Sequence, residues 1–306
     1  MLIPEIRNTH LTATDSAKIL GIAKFGSIID PYNRIVNGVY DSAPQSQDIM
    51  RGQYLEDGIG KWYAAMNNYK LLPVDTTEHP TNNHICASPD ALVLRDMRKS
   101  VKDVDRILEI KSPRRAEDWG DVPEYYLPQL VIEMACLNME SADLCGLVFG
   151  ELVIHTVERD LELEGIILEA MDKYWVDHIL AKIPPTPDGS ENYDAYLTNM
   201  LKRKSAEYVI ADEKLSGSAA KLHEIRTSIE SLEEQKKTIE QQMKISIGEF
   251  SGIKGEGWKV NWSVCKGREK VDWKAYAIDL GGSEKGVDKY TSRGEDFRQF
   301  RFTFGK

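Results

Sequence analysis

Residues 87–113 read ASPDALVLRDMRKSVKDVDRILEIKSP. Two short apolar runs in this stretch, ALVL (91–94) and RILEIK (106–111), have the length and composition of strands and are bounded by turn-forming residues. In a strand, side chains two apart share a face. Ile107, Glu109 and Lys111 therefore stand on one side of the second strand, and Leu108 and Ile110 on the other. Ser88-Pro89-Asp90 turns the chain into the first strand and sets Asp90 at its mouth. Ser112-Pro113 closes the second.

Elements to either side extend this into an α/β pattern. LTATDSAKILGI (11–22) predicts a short helix capped by Thr14 or Asp15 and ended by Gly21. Residues 46–69 carry Tyr54, Leu55, Ile59, Trp62, Tyr63 and Met66 at the spacing of a helix with one buried face. HICASPD (84–90) reads as a further strand of the sheet that ALVL and DRILEIK form. A helix is expected from Pro123 to about Asn138, with Pro128 either kinking it or marking its true start. LCGLVFG (144–150) and ELVIHTVER (151–159) predict two more strands, and residues 161–183 a long amphipathic helix.

The expected fold class is α/β (α+β), a central mixed sheet flanked by helices. PPTPDGS (184–190) reads as a linker. That divides the chain into a core, 1–185, and a C-terminal extension, 186–306. The extension carries an amphipathic helical arm over about 213–249. Its Leu222, Ile225, Ile229, Leu232, Ile239 and Met243 follow heptad spacing, broken once by Lys236. A small basic tail follows, with GWKVNW (257–262) and FRQFRFTF (297–304) as strand candidates.

Composition excludes several classes. The 306 residues are 42% hydrophobic and 29% charged, an ordinary globular balance. No long apolar run suggests a membrane span, and the N-terminus lacks the pattern of a signal peptide, so a cytoplasmic protein is expected. Cys86, Cys136, Cys145 and Cys265 are too widely spaced for a disulfide framework or zinc ribbon. No P-loop is present, so the chemistry is expected to run without ATP. Net charge is −10, but residues 254–306 carry 12 basic and 8 acidic residues. A phosphate backbone needs a local positive surface rather than a positive total, so nucleic acid stays open as a partner.

Asp90, Glu109 and Lys111 form the informative constellation. Two carboxylates offer oxygen ligands to a hard divalent cation such as Mg²⁺. The cation polarises a phosphodiester and lowers the pKa of a bound water. The Lys111 ammonium is placed to orient that water or to neutralise charge developing on phosphorus. An isolated E-x-K pair is usually a solvated surface pair. The weight here comes from P-D, then an apolar-E-x-K strand, then S-P and a helix.

The combination resembles the P-D…(D/E)-x-K signature of restriction-endonuclease-like nucleases. Flanking motifs resemble the lambda-type exonuclease or YqaJ-like viral recombinase family over about residues 5–180. They are R-G-x-x-x-E (Arg51, Gly52, Glu56), A-S-P-D (Ala87–Asp90), L-E-I-K-S-P (Leu108–Pro113) and Y-x-x-Q (Tyr126–Gln129). The resemblance implies a restriction-endonuclease-like core. It implies Glu56 and the Ile110 carbonyl as further metal ligands beside Asp90 and Glu109, and Gln129 facing the bound strand near the scissile phosphate. It places Arg7 and Thr14, the latter within T-A-T-D (12–15), on a 5′-phosphate. The basic turn at Arg114 and Arg115, with Trp119 after it, is a candidate contact for a single strand leaving the site.

By the same resemblance the activity is a Mg²⁺-dependent exonuclease, with Mn²⁺ able to substitute. It would resect one strand of duplex DNA, 5′ to 3′, exposing 3′ single strands for a phage or prophage single-strand annealing recombinase in the bacterial host cytoplasm. Rings of three subunits would enclose the DNA, in keeping with the absence of an ATP motor. Two other readings compete. A Cas4-like or RecB-like nuclease would carry an iron–sulfur cluster, which cysteine spacings of 50, 9 and 120 residues do not suit. A non-catalytic DNA-end or partner-binding protein would not need an intact set of acidic ligands and lysine.

Overall fold

The computed structural model describes residues 4–39, 47–96, 104, 106–113, 119–201, 207–256, 258–262 and 273–281. In chain order the first part runs α1 (Pro4–Arg7), β1 (Leu11–Thr12), a 3₁₀ turn (Ala13–Asp15), α2 (Ser16–Ile19), α3 (Ile29–Ile35), α4 (Gln47–Asn67), β2 (Lys70–Leu72), β3 (Thr77–Glu78), β4 (Ile85–Ala87), β5 (Ala91–Leu94) and β6 (Arg106–Lys111). A 3₁₀ turn (Glu124–Tyr126) then leads into α5 (Leu127–Leu137), β7 (Ser141–Val148), β8 (Glu151–Glu158), α6 (Leu161–Tyr174), a π-helical turn (Trp175–Leu180) and α7 (Glu191–Met200).

The main sheet has five strands in the order β2-β5-β6-β7-β8. β6 and β7 are parallel and the other neighbouring pairs antiparallel. α5 makes the crossover that the parallel pair requires. Both faces of the sheet are covered. On one, Ile59 and Tyr63 of α4 pack against Val93, Leu108 and Cys145. On the other, Leu130, Val131 and Met134 of α5 join Ile107, Leu144, Ile167 and Met171. The alternation in RILEIK explains this: Ile107 serves the α5 side and Leu108 the α4 side. The result is the expected mixed α/β architecture, a central mixed sheet with helices on both faces.

Two expectations are corrected, and an open one is decided. Ile85–Ala87 does not join the main sheet: β4 pairs parallel with β1 and antiparallel with β3 in a separate three-stranded sheet. The Ser88–Asp90 turn redirects the chain between the two sheets. Of the two outcomes expected for Pro128, it marks the true start of the helix: it occupies the first turn of α5, where its missing N–H costs nothing. The chain divides into compact units at Leu201 and Lys202, not at 185. α7 belongs to the first unit because the PPTPDGS run is tied down. Asp188 accepts from the Ser27 hydroxyl at 2.6 Å, and the Tyr193 hydroxyl donates to the Pro185 carbonyl.

The second unit contains α8 (Glu213–Ile247), the hairpin β9 (Gly252–Gly255) and β10 (Trp258–Asn261), and α9 (Trp273–Asp279). α8 matches the anticipated arm, and its seam residues Ile225, Ile229, Leu232 and Ile239 are exposed. The FRQFRFTF strand candidate lies outside the described residues. No helix among the described residues is long and apolar enough to cross a membrane.

Candidate active site

The site forms where β5 begins and β6 ends. The Asp90 N–H donates to the Leu108 carbonyl at 3.1 Å, which continues the β5–β6 ladder one residue past Ala91. The Asp90 carboxylate then accepts from the Ile110 N–H at 2.6 Å. Asp90 is thus pinned at both main chain and side chain beside Glu109. Burial pushes its carboxyl up to about 8, reinforced by the negative charges of Glu109 and Glu56.

On the α5 side, Glu109, Lys111 and Gln129 form one hydrogen-bonded cluster. The Lys111 ammonium donates to Glu109 Oε1, and more loosely to Gln129 Oε1 at 3.3 Å. Gln129 Nε2 donates to Glu109 Oε1 at 2.6 Å. Burial works against the Lys111 ammonium, but Glu109, Glu133 and Asp90 more than offset it, so Lys111 titrates above its usual range. In the metal-free site these carboxyl groups favour the charged form of Lys111.

On the α4 side, Glu56, Asp90 and Ile110 line one cleft of about 620 Å³, together with Lys61, Lys70 and Leu71. Glu56 itself is exposed. Two contacts aim α4 at the strand. Arg51 Nη2 donates to the Ser112 carbonyl at 2.7 Å, and Gly60 lets the helix approach so closely that a Cβ there would lie 3.3 Å from both Ile110 Cδ1 and Leu71 Cδ1. The R-G-x-x-x-E motif thus combines a tether (Arg51) with the acid it positions (Glu56).

Asp90, Glu109, Glu56 and the Ile110 carbonyl are an oxygen-only donor set of the kind that suits Mg²⁺ or Mn²⁺ rather than a softer metal. Among the described residues, no three His, Cys, Asp or Glu side chains form a ready-made ligand cluster. The fit to a cation rests instead on charge: among the described residues Glu109 and Glu56 press on Asp90 against the Lys111 ammonium, and that repulsion is what a bound cation would relieve.

The remaining candidates fall differently. Thr14 is exposed on the 3₁₀ turn that packs against α5, and its hydroxyl bonds that of Thr12 at 2.8 Å. Arg7 is exposed at the end of α1, and its carbonyl accepts from Arg34. Arg114 and Arg115 lie outside the described residues. Trp119 is corrected: its ring is 3% exposed and rests on Gly146 of β7, so it fills the core and offers no face to a base.

Sequence reasoning missed two residues. Asp15, considered only as a helix cap, is buried and accepts from the Thr12 N–H at 2.9 Å and the Thr12 hydroxyl at 2.8 Å, while pairing with Lys18 and Arg34. It holds the T-A-T-D turn in shape. Glu133 is 1% exposed and accepts from Gln129 Nε2 at 2.7 Å. Burial first, and then Glu109, raises its carboxyl well above the usual range. Its signal was available: it is the lone charge in the apolar run LVIEMAC, four residues after Gln129.

Residues 4–140 match the model of the YqaJ-like viral recombinase domain. The uncharacterized protein YqaJ of Bacillus subtilis (strain 168) is 27% identical over 252 residues, 78% of this chain and 75% of its own. Among solved structures, an alkaline exonuclease from Laribacter hongkongensis aligns with a TM-score of 0.47 at 21% identity, over 56% of this chain and 89% of its own. A phage-related exonuclease from Haemophilus somnus 129PT aligns with a TM-score of 0.42 at 14% identity, over 58% and 98%.

Proposed function

We propose that the protein, whose residues 4–140 match the YqaJ-like viral recombinase domain, is a metal-dependent exonuclease acting on the ends of linear duplex DNA. One observation carries the reading. Asp90 and Glu109 are held side by side across β5 and β6, with the Lys111 ammonium hydrogen-bonded to Glu109. Paired carboxylates with an adjoining permanent cation are what phosphodiester hydrolysis needs, and a structural ion pair has no use for the second carboxylate.

Asp90, Glu109, the Ile110 carbonyl and Glu56 would hold Mg²⁺, with Mn²⁺ as a substitute. When bound, the cation supplies Lewis-acid polarisation of the phosphate and a water of lowered pKa. The chain's own groups do the rest. Lys111 keeps its charge and stabilises the negative charge that grows on the phosphoryl oxygens. Gln129 holds Lys111 and Glu109 together. Arg7 and the Thr14 hydroxyl receive the terminal 5′-phosphate, Arg7 through a charge-assisted fork. Digestion then runs 5′ to 3′ and leaves 3′ single strands suited to a phage-type annealing recombinase. A homo-oligomer, a trimer by family resemblance, would retain the DNA without ATP.

A linear duplex labelled at either the 5′ or the 3′ end tests this. In Mg²⁺ the 5′ label should leave first as mononucleotide, faster from 5′-phosphate than from 5′-hydroxyl ends, and Arg7→Ala should erase that preference. Early release of the 3′ label would contradict the polarity. Equal rates on both 5′ ends for the unaltered protein would remove the role given to Arg7.

A further inference from the structure

A glutamine side chain has two N–H donors and one carbonyl acceptor in a fixed plane. All three are engaged in Gln129. One N–H donates to Glu109 Oε1 at 2.6 Å, the other to Glu133 Oε1 at 2.7 Å, and the carbonyl accepts from Lys111 Nζ at 3.3 Å. Turning the amide over would set its oxygen against two carboxyl oxygens and its NH₂ against an ammonium. Without Glu133, one N–H would lack a partner and that constraint would weaken.

Glu133 is an expensive residue to keep where it stands. It is 1% exposed, and among the described residues its second oxygen, Oε2, is buried with no hydrogen-bond partner. Its helix neighbours Leu130, Val131, Ile132 and Met134 are all core residues. For packing alone a leucine would serve better, since a buried carboxyl with an unsatisfied oxygen is destabilising. The cost is explained if Glu133 acts on the site through Gln129.

We propose that Glu133 is a positioning residue of the nuclease site: by taking the second N–H of Gln129, it fixes the amide so that the carbonyl faces Lys111 and the ammonium stays beside Glu109. The inference rests on the nuclease reading above. It makes Glu133 part of the chemistry without contact to substrate, much as outer-shell partners orient the groups that touch a metal.

Four full-length variants test it: Glu133→Leu, Glu133→Gln, Gln129→Ala, and Glu133→Leu combined with Gln129→Ala. The measurements are single-turnover cleavage of a 5′-phosphorylated duplex in Mg²⁺, binding of the same duplex in EDTA, and melting temperature. Glu133→Leu should slow cleavage roughly 10–100-fold, the usual range for outer-shell partners. Duplex binding in EDTA should stay within about threefold, since the missing interaction serves the reacting centre and not the ground state. Glu133→Gln keeps an acceptor where Oε1 stands and should cleave within about threefold of the unaltered protein. In the Gln129→Ala background, Glu133→Leu should cost no more than about threefold further, because residues acting through one another are not additive.

Cleavage by Glu133→Leu at the unaltered rate overturns the inference. So does a full, multiplied loss in the double variant. If Glu133→Leu does not fold, Glu133→Gln decides, and a loss of about tenfold or more there overturns it. If the unaltered protein leaves the duplex intact in Mg²⁺, the nuclease reading itself fails, and this inference falls with it.

Discussion

Asp90 and Glu109 stand on neighbouring strands, and Lys111 is the cation that acts on Asp90 among the described residues. In the metal-free protein this raises the Asp90 carboxyl from its ordinary 3.8 to about 8, through burial first and Glu109 second. A carboxyl that binds its proton more tightly when folded stabilises the fold below its unfolded value, and that stability is lost as pH rises through the folded value. The metal-free protein should therefore lose melting temperature between about pH 4 and about 8 on this group's account. Mg²⁺ competes with the same proton, so the rise in melting temperature that it produces should grow across that window. Melting scans with and without Mg²⁺ check this, and an Mg²⁺ effect that shrinks with rising pH would contradict it. At this scale much of the site was legible. Strand parity put Glu109 and Lys111 on one face, and their hydrogen bond bears that out. Glu133 was not read because a helical glutamate usually points to water, and only packing shows α5 buried nearly all round.

β6 and β7 show how element packing positions the site. Trp119 lies flat on Gly146, and a Cβ at that glycine would fall 2.2 Å from the ring. Gly146 is paired with Lys111 across the parallel β6–β7 ladder, so the indole packs on the same face of the sheet as the Lys111 side chain, one strand over. Gly146→Ala should cost about 1–3 kcal/mol by overpacking. At roughly 2–4 °C per kcal/mol for a unit of this size, the loss is visible in a melting scan. An unchanged melting temperature would mean that the ring is not held there. Trp119 was misread from sequence because its basic neighbours in KSPRR suggested a surface loop, whereas its partner is a glycine 27 positions on. Ile85–Ala87 was misread for a related reason. Its composition announces a strand, but which sheet it joins is decided by its pairing with Leu11–Thr12.

At the scale of the whole molecule the charge is divided between the two units. Residues 1–201 carry 18 basic and 32 acidic residues, and residues 202–306 carry 21 and 17, so the acidic excess belongs to the unit that holds the site. The second unit is the one suited to phosphate backbone. A chain ending at Leu201 should fold cooperatively, since the core of that unit is complete within it. It should bind duplex DNA more weakly and with a flatter salt dependence, the log–log slope falling by about 0.9 for each phosphate that the shorter chain no longer neutralises. A truncated chain with an unchanged slope would instead give residues 202–306 to a protein partner. The proline-rich run at 184–190 misled the sequence reading of this division. Prolines there fix a path across the surface of the first unit, and Asp188 and Tyr193 anchor it.

The central claim is that the Asp90 and Glu109 carboxylates, with a divalent cation, cleave phosphodiester bonds at duplex ends. The most direct measurement compares the unaltered protein with Asp90→Asn and Glu109→Gln on a linear duplex, in Mg²⁺ and in EDTA, reading cleavage and duplex binding in the same samples. The account predicts cleavage by the unaltered protein in Mg²⁺ alone. It predicts that both variants, nearly unchanged in shape, lose cleavage while still binding the duplex. Cleavage in EDTA, or either variant cutting at the unaltered rate in Mg²⁺, would contradict it.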